Sequence, residues 1–320
     1  MKLKIIKCHG SGNDFILIDI RNLKNIFYDE KKSEFAVKLC NRKKSIGADG
    51  ILYITESQIA DCKMRIFNSD GSEAEMCGNG IRIVGRYISE EKKQAKVNVE
   101  NVTGLNYQIH KSNDFFENVI AYEVQLPPAI FECPDIPINT KSNELFNSYL
   151  PEISNTLKFS AVAMPNPHII AFVDDVDINI LEQIGKKANS IKTLFPNGVN
   201  VSLVQSINEE TIYVATFERG VGITYSCGTA MCASAICSVK NGISSFGNKI
   251  KVLNKGGFIN VLVESDWRCK MTGNATYVFE ANLEFDLMKK EKIDVYKGNA
   301  FIDEISAYGN LVESIEKQIT

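Results

Sequence analysis

Residues 70–80 read DGSEAEMCGNG, and residues 220–230 read GVGITYSCGTA. In both stretches a cysteine is followed by glycine, a small polar residue and a second small residue. The segments that begin just after Cys77 and Cys227 are GNGIRIVGRYISEE and GTAMCASAICSVKNG, and each predicts a helix. Each cysteine is therefore predicted to stand at or just before a helix N-terminus, and the same turn is built twice, half a chain apart.

The order of segments around the two turns also repeats. NDFILIDI, from Asn13, matches NPHIIAFVDDV, from Asn166, and GADGILYI resembles NGVNVSLV further along. Asn13 lies 64 positions before Cys77, and Asn166 lies 61 positions before Cys227. Two halves with the same order of segments imply a duplication and two similar domains. A site between two such domains would receive one cysteine from each half.

Short runs rich in Val, Ile, Phe and Tyr predict strands throughout both halves. These runs are LKIIKC, FILIDI, GILYIT, KMRIFN, KVNVEN, YEVQLP, HIIAFV, VNVSLVQ, TIYVATFE, KIKVLN, GFINVLVE and ATYVFEANL. Between these strands, only the two helices after the cysteines are predicted, and Gly242 is expected to end the second of them. The prolines in PPAIFECPDIP predict a linker between the halves.

Composition excludes several classes of function. The chain has 320 residues and a formal net charge of −3, which gives no electrostatic footprint for nucleic acid. Its N-terminus lacks a signal-peptide pattern, and no apolar run approaches the length of a membrane span. Nine cysteines, an odd number, indicate reduced thiols, and the three histidines are too far apart for zinc-ligand spacing. We therefore expect a cytoplasmic protein without metal, nucleic acid or membrane partners.

Two thiols at helix N-termini are suited to proton transfer. The unpaired N–H groups of a first helical turn stabilise anions, so we expect each thiolate to be stabilised and each turn to cradle a substrate carboxylate. Two opposed thiols can remove a proton from one face of a carbon and deliver one to the other, which is racemisation or epimerisation. A nucleophilic cysteine hydrolase would need only one thiol, and a redox pair usually shares one Cys-x-x-Cys turn.

The motifs resemble those of the diaminopimelate epimerase family. HGSGNDF, GADG, RIFNSDGSEAEMCGNGIR, NPH, NVSLV, FERGVGITYSCGTA and MTGNA occur in that order over residues 1–283. The resemblance implies an α+β fold of two pseudo-symmetric domains, each a barrel-like mixed β-sheet wrapped around a central helix. It also implies an active site in the cleft between the domains, with no cofactor. The expected domains are 1–127, completed by a strand near 274–284, and 128–273.

The resemblance also implies roles for particular residues. Cys77 and Cys227 would be the acid and base thiols, with His168 and Glu218 setting their protonation. The substrate α-carboxylate would accept hydrogen bonds from the backbone N–H groups of Gly78, Asn79, Gly228 and Thr229. The other polar groups of the substrate would be bound by Asn13, Asn68, Asn166, Asn200, Glu218 and Arg219. Arg219 can hold a distal carboxylate bidentately. Taken alone, asparagines more often cap turns, and Glu218 with Arg219 could be a surface ion pair.

Some positions depart from the family pattern. Pro165 stands where glycine usually precedes NPH, and Ala230 replaces the last glycine of the second cysteine turn. Ile223 stands where many members carry glutamate, and Gly50 stands where some members carry a glutamine that helps to bind substrate. Residues 285–320 extend past the usual end of the family and include NLVESIEKQI, a candidate helix without an assigned role. These departures leave the thiol chemistry intact and bear on the identity of the substrate.

The leading interpretation is therefore epimerisation of LL-diaminopimelate to the meso form, for lysine and peptidoglycan synthesis. The alternative is racemisation or epimerisation of another amino acid by the same thiols. A non-catalytic binding protein on a duplicated fold is a third reading. Close thiols could also oxidise to a disulfide that stops activity. The partner is expected to be a small amino acid, and a homodimer is one expectation for assembly.

Overall fold

The computed structural model describes residues 1–23, 26–285 and 293–319. The strands are β1 Lys2–Gly10, β2 Asn13–Asp19, β3 Gly50–Thr55, β4 Cys62–Asn68, β5 Glu73–Ala74, β6 Lys96–Glu100, β7 Asn106–Ser112, β8 Ala121–Leu126, β9 Ser148–Leu150, β10 Ser154–Ala163, β11 Pro167–Val173, β12 Asn200–Asn208, β13 Thr211–Glu218, β14 Gly222–Thr224, β15 Lys249–Asn254, β16 Gly257–Val263, β17 Cys269–Asn274, β18 Thr276–Phe285 and β19 Ile293–Ala300. The helices are α1 Asp29–Leu39, α2 Gly78–Lys92, α3 Ile178–Ser190, α4 Gly228–Lys240 and α5 Ile302–Ile319. None of the described helices has the length and apolar character needed to cross a membrane.

The chain forms two compact units. Unit 1 comprises Met1–Val124 and Gly273–Ser314, and unit 2 comprises Gln125–Thr272 and Ile315–Thr320. The predicted strands are all present, and the α+β class is confirmed.

The strand pairings of the two units follow the same order. In unit 1, β1 pairs antiparallel with β2, β2 parallel with β3, β3 antiparallel with β4, β4 antiparallel with β5, β4 parallel with β6, and β6 and β7 each antiparallel with the next strand. In unit 2 the same series runs from β10 to β17. The repeat read from the sequence therefore corresponds to a repeat of topology.

Each unit packs one helix on one face of its sheet. In unit 1, α1 supplies Phe35, Ala36 and Leu39 to a core shared with β2 and β3. In unit 2, α3 supplies Leu181, Ile184 and Ala188 to a core shared with β11 and β12. Neither helix was predicted, so the expectation of only two helices before the C-terminal segment was wrong. Most of the stability of such helices comes from tertiary packing of one face, which a short sequence window does not contain.

The helices that follow the cysteines are the buried helices of each unit. Every residue of α4 from Gly228 to Val239 is buried, and α2 is buried over most of its length. A helix that is apolar or small on all sides belongs inside a core. Both predicted helices are confirmed, and Gly242 adopts φ 72° just after α4, as a helix-ending glycine does.

The proline-rich segment is not a free linker. Cys133, Ile136 and Ile138 are buried in the same core as α3. Prolines interrupt regular pairing, but they do not prevent the residues between them from packing, so the prediction of a linker was wrong.

The C-terminal segment is ordered where it is described. Residues 286–292, which include most of MKKEKI, lie outside the described residues, and β19 then pairs antiparallel with β18. The candidate helix of this segment is confirmed as α5, which begins eight residues before NLVESIEKQI.

Candidate functional site

Cys77 is the N-cap residue of α2. Its sulfur accepts a hydrogen bond from the backbone N–H of Gly80, with an N–S distance of 3.3 Å. The thiol also contacts Asn13 Oδ1 at 3.6 Å. The residue is partly exposed, so solvent and ligands can reach the sulfur. The first turn of α2 begins at Gly78 and Asn79, and the backbone N–H groups at a helix N-terminus favour an anion beside the thiol.

Asn13 is held in one orientation beside this thiol. Its Nδ2 donates to Asp49 Oδ2 at 2.8 Å, and its Oδ1 accepts from Asn79 Nδ2 at 3.3 Å. Asp49 is itself held by Arg42, whose Nη2 lies 2.7 Å from Asp49 Oδ1. Because Asp49 can only accept, the oxygen of Asn13 must face Cys77.

Arg82 supports the first turn of α2 from inside the unit. Its side chain is fully buried. Nη2 donates to Asn79 Oδ1 at 2.9 Å, Nη1 donates to Gly78 O at 3.1 Å, and Nε donates to the backbone oxygen of Asn274 at 3.2 Å. This guanidinium therefore fixes the amide orientation of Asn79 and places a positive charge under the predicted carboxylate cradle.

Asn68 lies at the end of β4, opposite Gly50. Its Nδ2 donates to Ser72 Oγ at 3.0 Å, and its backbone N–H donates to Ser72 O at 2.8 Å. These hydrogen bonds stabilise the turn between Asn68 and Ser72, which precedes Cys77 in the chain. They give Asn68 a role in the turn, and its predicted substrate contact stays a prediction.

Cys227 is the N-cap residue of α4, but its surroundings differ from those of Cys77. The residue is 8% exposed, and its sulfur lies 3.5 Å from Thr229 Oγ1. Burial raises the pKa of this thiol well above its ordinary value, and the charge of Glu218 raises it further. The expectation of a lowered pKa was therefore wrong for Cys227, because loss of hydration and a neighbouring carboxylate outweigh the helix terminus. At neutral pH Cys227 carries its proton.

The end of β13 brings Glu218 to this thiol, and Arg219 follows directly in the chain. Thr224 Oγ1 donates to Glu218 Oε1 at 2.5 Å. The backbone N–H of Arg219 donates to Asn200 Oδ1 at 2.9 Å, and Arg219 Nη1 donates to Asn197 O at 3.0 Å. Asn200 thus supports the backbone that presents Glu218 and Arg219.

His168 is fully buried on β11, directly opposite Asn200 on β12. Its Nε2 lies 3.0 Å from Asn166 Oδ1, and its Nδ1 has no hydrogen-bond partner among the described residues. Burial, with a contribution from the charge of Arg219, lowers the pKa of His168 to about 3. The ring is therefore neutral. If Nε2 donates to the amide oxygen, Nδ1 presents an unused lone pair.

Equivalent positions in the two units carry different chemistry. Phe15 faces Gly50 in the parallel pair β2–β3, where unit 2 places His168 opposite Asn200 in β11–β12. The last residue of β4 is Asn68, whereas the last residue of β13 is Glu218. The titratable neighbours thus occur around Cys227, and uncharged groups occupy the matching positions in unit 1.

The structure brings together Cys77, Asn13, Gly78 and Asn79 in unit 1. It brings together Cys227, Thr229 and Glu218 in unit 2, with Asn166 against His168 and Asn200 against Arg219. Three supporting residues were missed from sequence: Asp49, Arg82 and Asn274. Each lies inside a motif that was recognised, GADG, CGNGIR or MTGNA, and that was the available signal.

Acidification is expected to destabilise the fold through its buried histidines. Burial lowers the pKa of His9 to about 4 and that of His168 to about 3, whereas both take an ordinary value near 6.5 when unfolded. Below about pH 6.5 the unfolded chain binds more protons than the folded chain. Each unit by which the pH is lowered therefore reduces the free energy of unfolding by about 1.4 kcal/mol for each histidine. Urea unfolding at pH 7, 6 and 5 measures this slope. His168→Gln should make the slope shallower, and an equal slope in both proteins would contradict the assignment.

Comparison with known proteins identifies the family. The sequence model for "Diaminopimelate epimerase" matches residues 5–122 and 160–278. A diaminopimelate epimerase of Clostridium acetobutylicum is 43% identical, with 99% of this chain and 96% of that protein covered. One from Ligilactobacillus salivarius is 40% identical, with 88% and 90% covered. The alignment with the Clostridium protein thus takes in nearly the whole C-terminal segment.

Solved structures agree on the fold. A predicted epimerase from Pseudomonas aeruginosa has a TM-score of 0.66 at 13% identity, covering 89% of this chain and 100% of that one. A phenazine biosynthesis protein of the PhzF family from Bacillus anthracis has a TM-score of 0.63 at 16% identity, with the same coverage. A probable proline racemase from Agrobacterium radiobacter has a TM-score of 0.61 at 13% identity, covering 89% and 93%. With the extended match to the family model and its relatives, these findings show that the chain belongs to the diaminopimelate epimerase family.

Proposed function

We propose that this protein interconverts LL- and meso-2,6-diaminopimelate by proton transfer between the substrate α-carbon and two cysteine thiols. The observation that carries the proposal is that Cys77 and Cys227 both occupy the N-cap position of a buried helix, each beside first-turn N–H groups. Family membership supplies the substrate. The reaction would serve lysine and peptidoglycan synthesis in the cytoplasm, and all nine cysteines are free thiols.

The proton balance of the reaction needs one thiolate and one thiol. The thiolate takes the α-proton from one face of the carbon, and the electron pair left behind spreads into the adjacent carboxylate. The other sulfur then delivers its proton to the opposite face, so the two sulfurs finish with exchanged protonation states. Because Cys227 holds its proton strongly and Cys77 is more exposed, we assign Cys77 as the base in the direction that starts from the resting protein.

The carbanion requires stabilisation by fixed donors. The N–H groups of Gly78, Asn79, Gly228 and Thr229 would bind the α-carboxylate as its charge grows. The buried Arg82 supports the first pair of donors through its bonds to Gly78 and Asn79. Arg219 would hold the distal carboxylate, and Asn13, Asn68, Asn166, Asn200 and Glu218 would hold the remaining polar groups.

Exchange of the α-proton with solvent tests the proposal. Reduced protein is mixed with LL- or meso-diaminopimelate in D2O, and deuterium incorporation is followed by NMR with isomer ratio by chiral chromatography. We expect both isomers to exchange and to reach one common ratio. If α-proton exchange occurred only with amino acids that lack a distal carboxylate, diaminopimelate would be rejected as the substrate in favour of one of those amino acids. Absence of exchange with diaminopimelate and with a panel of free amino acids would contradict an epimerase.

A further inference from the structure

Helix α5 of the C-terminal segment binds α2, the helix that Cys77 precedes, through a buried ion pair. Glu304 Oε2 lies 2.6 Å from Arg86 Nη1, and Oε1 lies 2.7 Å from Arg86 Nη2. Glu304 Oε2 also accepts the backbone N–H of Tyr277 at 2.9 Å. Arg86 is 3% exposed, so this carboxylate neutralises a charge that is almost fully removed from water. Glu90, which is more exposed, is a second partner of the same guanidinium.

A second contact joins α5 to the strand that leads into the Asn13 turn. The Tyr308 ring packs against the ring of His9, with centroids 4.2 Å apart. Ala307 and Leu311, which are close to Tyr308 in the sequence of α5, are also buried. His9 is the penultimate residue of β1, and the chain turns back immediately afterwards to present Asn13.

The two contacts lead to the adjacent residues Asn274 and Ala275. Asn274 Nδ2 lies 3.4 Å from His9 Nδ1, and its Oδ1 accepts the backbone N–H of Ser11 at 2.7 Å inside the turn. Its backbone oxygen accepts from Arg82, the residue that orients Asn79. On the other side, Arg86 donates to the backbone oxygen of Ala275 at 2.6 Å. Residues 274 and 275 thus connect α5, the Asn13 turn and the first turn of α2.

We infer that α5 positions the Cys77 half of the site, with Glu304 and Tyr308 as positioning residues. Glu304 acts through Arg86, and Tyr308 acts through His9 and Asn274. Removing the Glu304 charge leaves a buried guanidinium without its bidentate partner, which is costly enough to move α2. Since α2 is one continuous helix, a shift at Arg86 is transmitted to its N-cap. The inference rests on the proposed function for its kinetic test and is independent of it for the thiol test below.

The test compares Glu304→Gln with Asp303→Asn. Asp303 is an exposed acid in the same turn of α5, so its replacement removes the same charge without touching Arg86. In Glu304→Gln we expect kcat for epimerisation to fall about tenfold or more with KM changed less than about twofold, because small misplacement of a reacting group costs rate rather than binding. Asp303→Asn should behave as the wild type. Tyr308→Leu provides a second variant should Glu304→Gln fail to fold.

Thiol reactivity gives a readout that does not need the substrate. Each protein is treated briefly with iodoacetamide, and alkylation of the Cys77 and Cys227 peptides is quantified by mass spectrometry. We expect the ratio of Cys77 to Cys227 alkylation to change severalfold in Glu304→Gln and in Tyr308→Leu. An unchanged ratio in folded variants overturns the inference. A changed ratio with no epimerisation in the wild type would keep the inference and reject the proposed substrate.

Discussion

Cys77→Ala and Cys227→Ala are each expected to lower the rate of diaminopimelate epimerisation by about 10²-fold to 10⁴-fold, which is the usual contribution of a positioned acid or base. Each variant lacks the group that either removes or delivers the proton, so neither can complete inversion. Isomer ratio and deuterium content, measured together over time, report the two steps separately. We expect the loss in both directions of the reaction, because each sulfur serves as base in one direction and as acid in the other.

A third cysteine supplies the control for this experiment. Cys237 lies on α4 with Cys227 and is fully buried, and Cys237→Ala removes a thiol from the same helix without touching its N-terminus. Its activity should stay close to that of the wild type. Thermal unfolding of all three variants separates loss of a cap from loss of chemistry, since an N-cap is worth only about 0.5–2 kcal/mol. Wild-type rates in Cys77→Ala or Cys227→Ala would rule out a two-thiol mechanism.

The repeat and the strands could be predicted because their signals are local. Alternation of Val, Ile and Phe with polar residues marks a strand within six to ten residues, and the same order of strands recurs in both halves. The helices α2 and α4 follow glycine-rich turns and carry mostly apolar or small residues. In contrast, α1 begins DEKKSEF and has only a narrow apolar face, which becomes recognisable once Phe35 and Leu39 are seen against the sheet.

The N-cap positions of the two thiols were predictable for the same reason, but their electrostatics were not. A helix terminus is visible in the sequence, whereas the burial of Cys227 depends on how the whole of α4 is enclosed. The supporting residues are also distant along the chain. Arg82 and Asn274 are 192 positions apart, and Arg86 and Glu304 are 218 positions apart. Sequence spacing offers no way to pair such residues, although the motifs that contain Arg82 and Asn274 indicated where to look.

The asymmetry between the two thiols leads to the second large effect. Glu218→Gln removes the carboxylate whose charge raises the pKa of Cys227. A negative neighbour disfavours the thiolate, so its removal lowers this pKa, and alkylation of Cys227 by iodoacetamide should begin at lower pH than in the wild type. Mass spectrometry of the Cys227 peptide across a pH series measures this shift. Thr224, which donates to the same carboxylate, keeps an acceptor in the glutamine variant.

Epimerisation by Glu218→Gln should fall about 10²-fold at neutral pH. The variant loses a proposed contact to substrate, and it also loses the charge that keeps Cys227 protonated for delivery of a proton. Glu209→Gln is the matched control, because Glu209 is an exposed carboxylate in the turn between β12 and β13, at the opposite end of β13 from Glu218. Its alkylation profile and activity should match the wild type. If Glu218→Gln left the Cys227 profile in place while activity fell, Glu218 would act on the substrate alone, and another group would have to account for the protonated thiol.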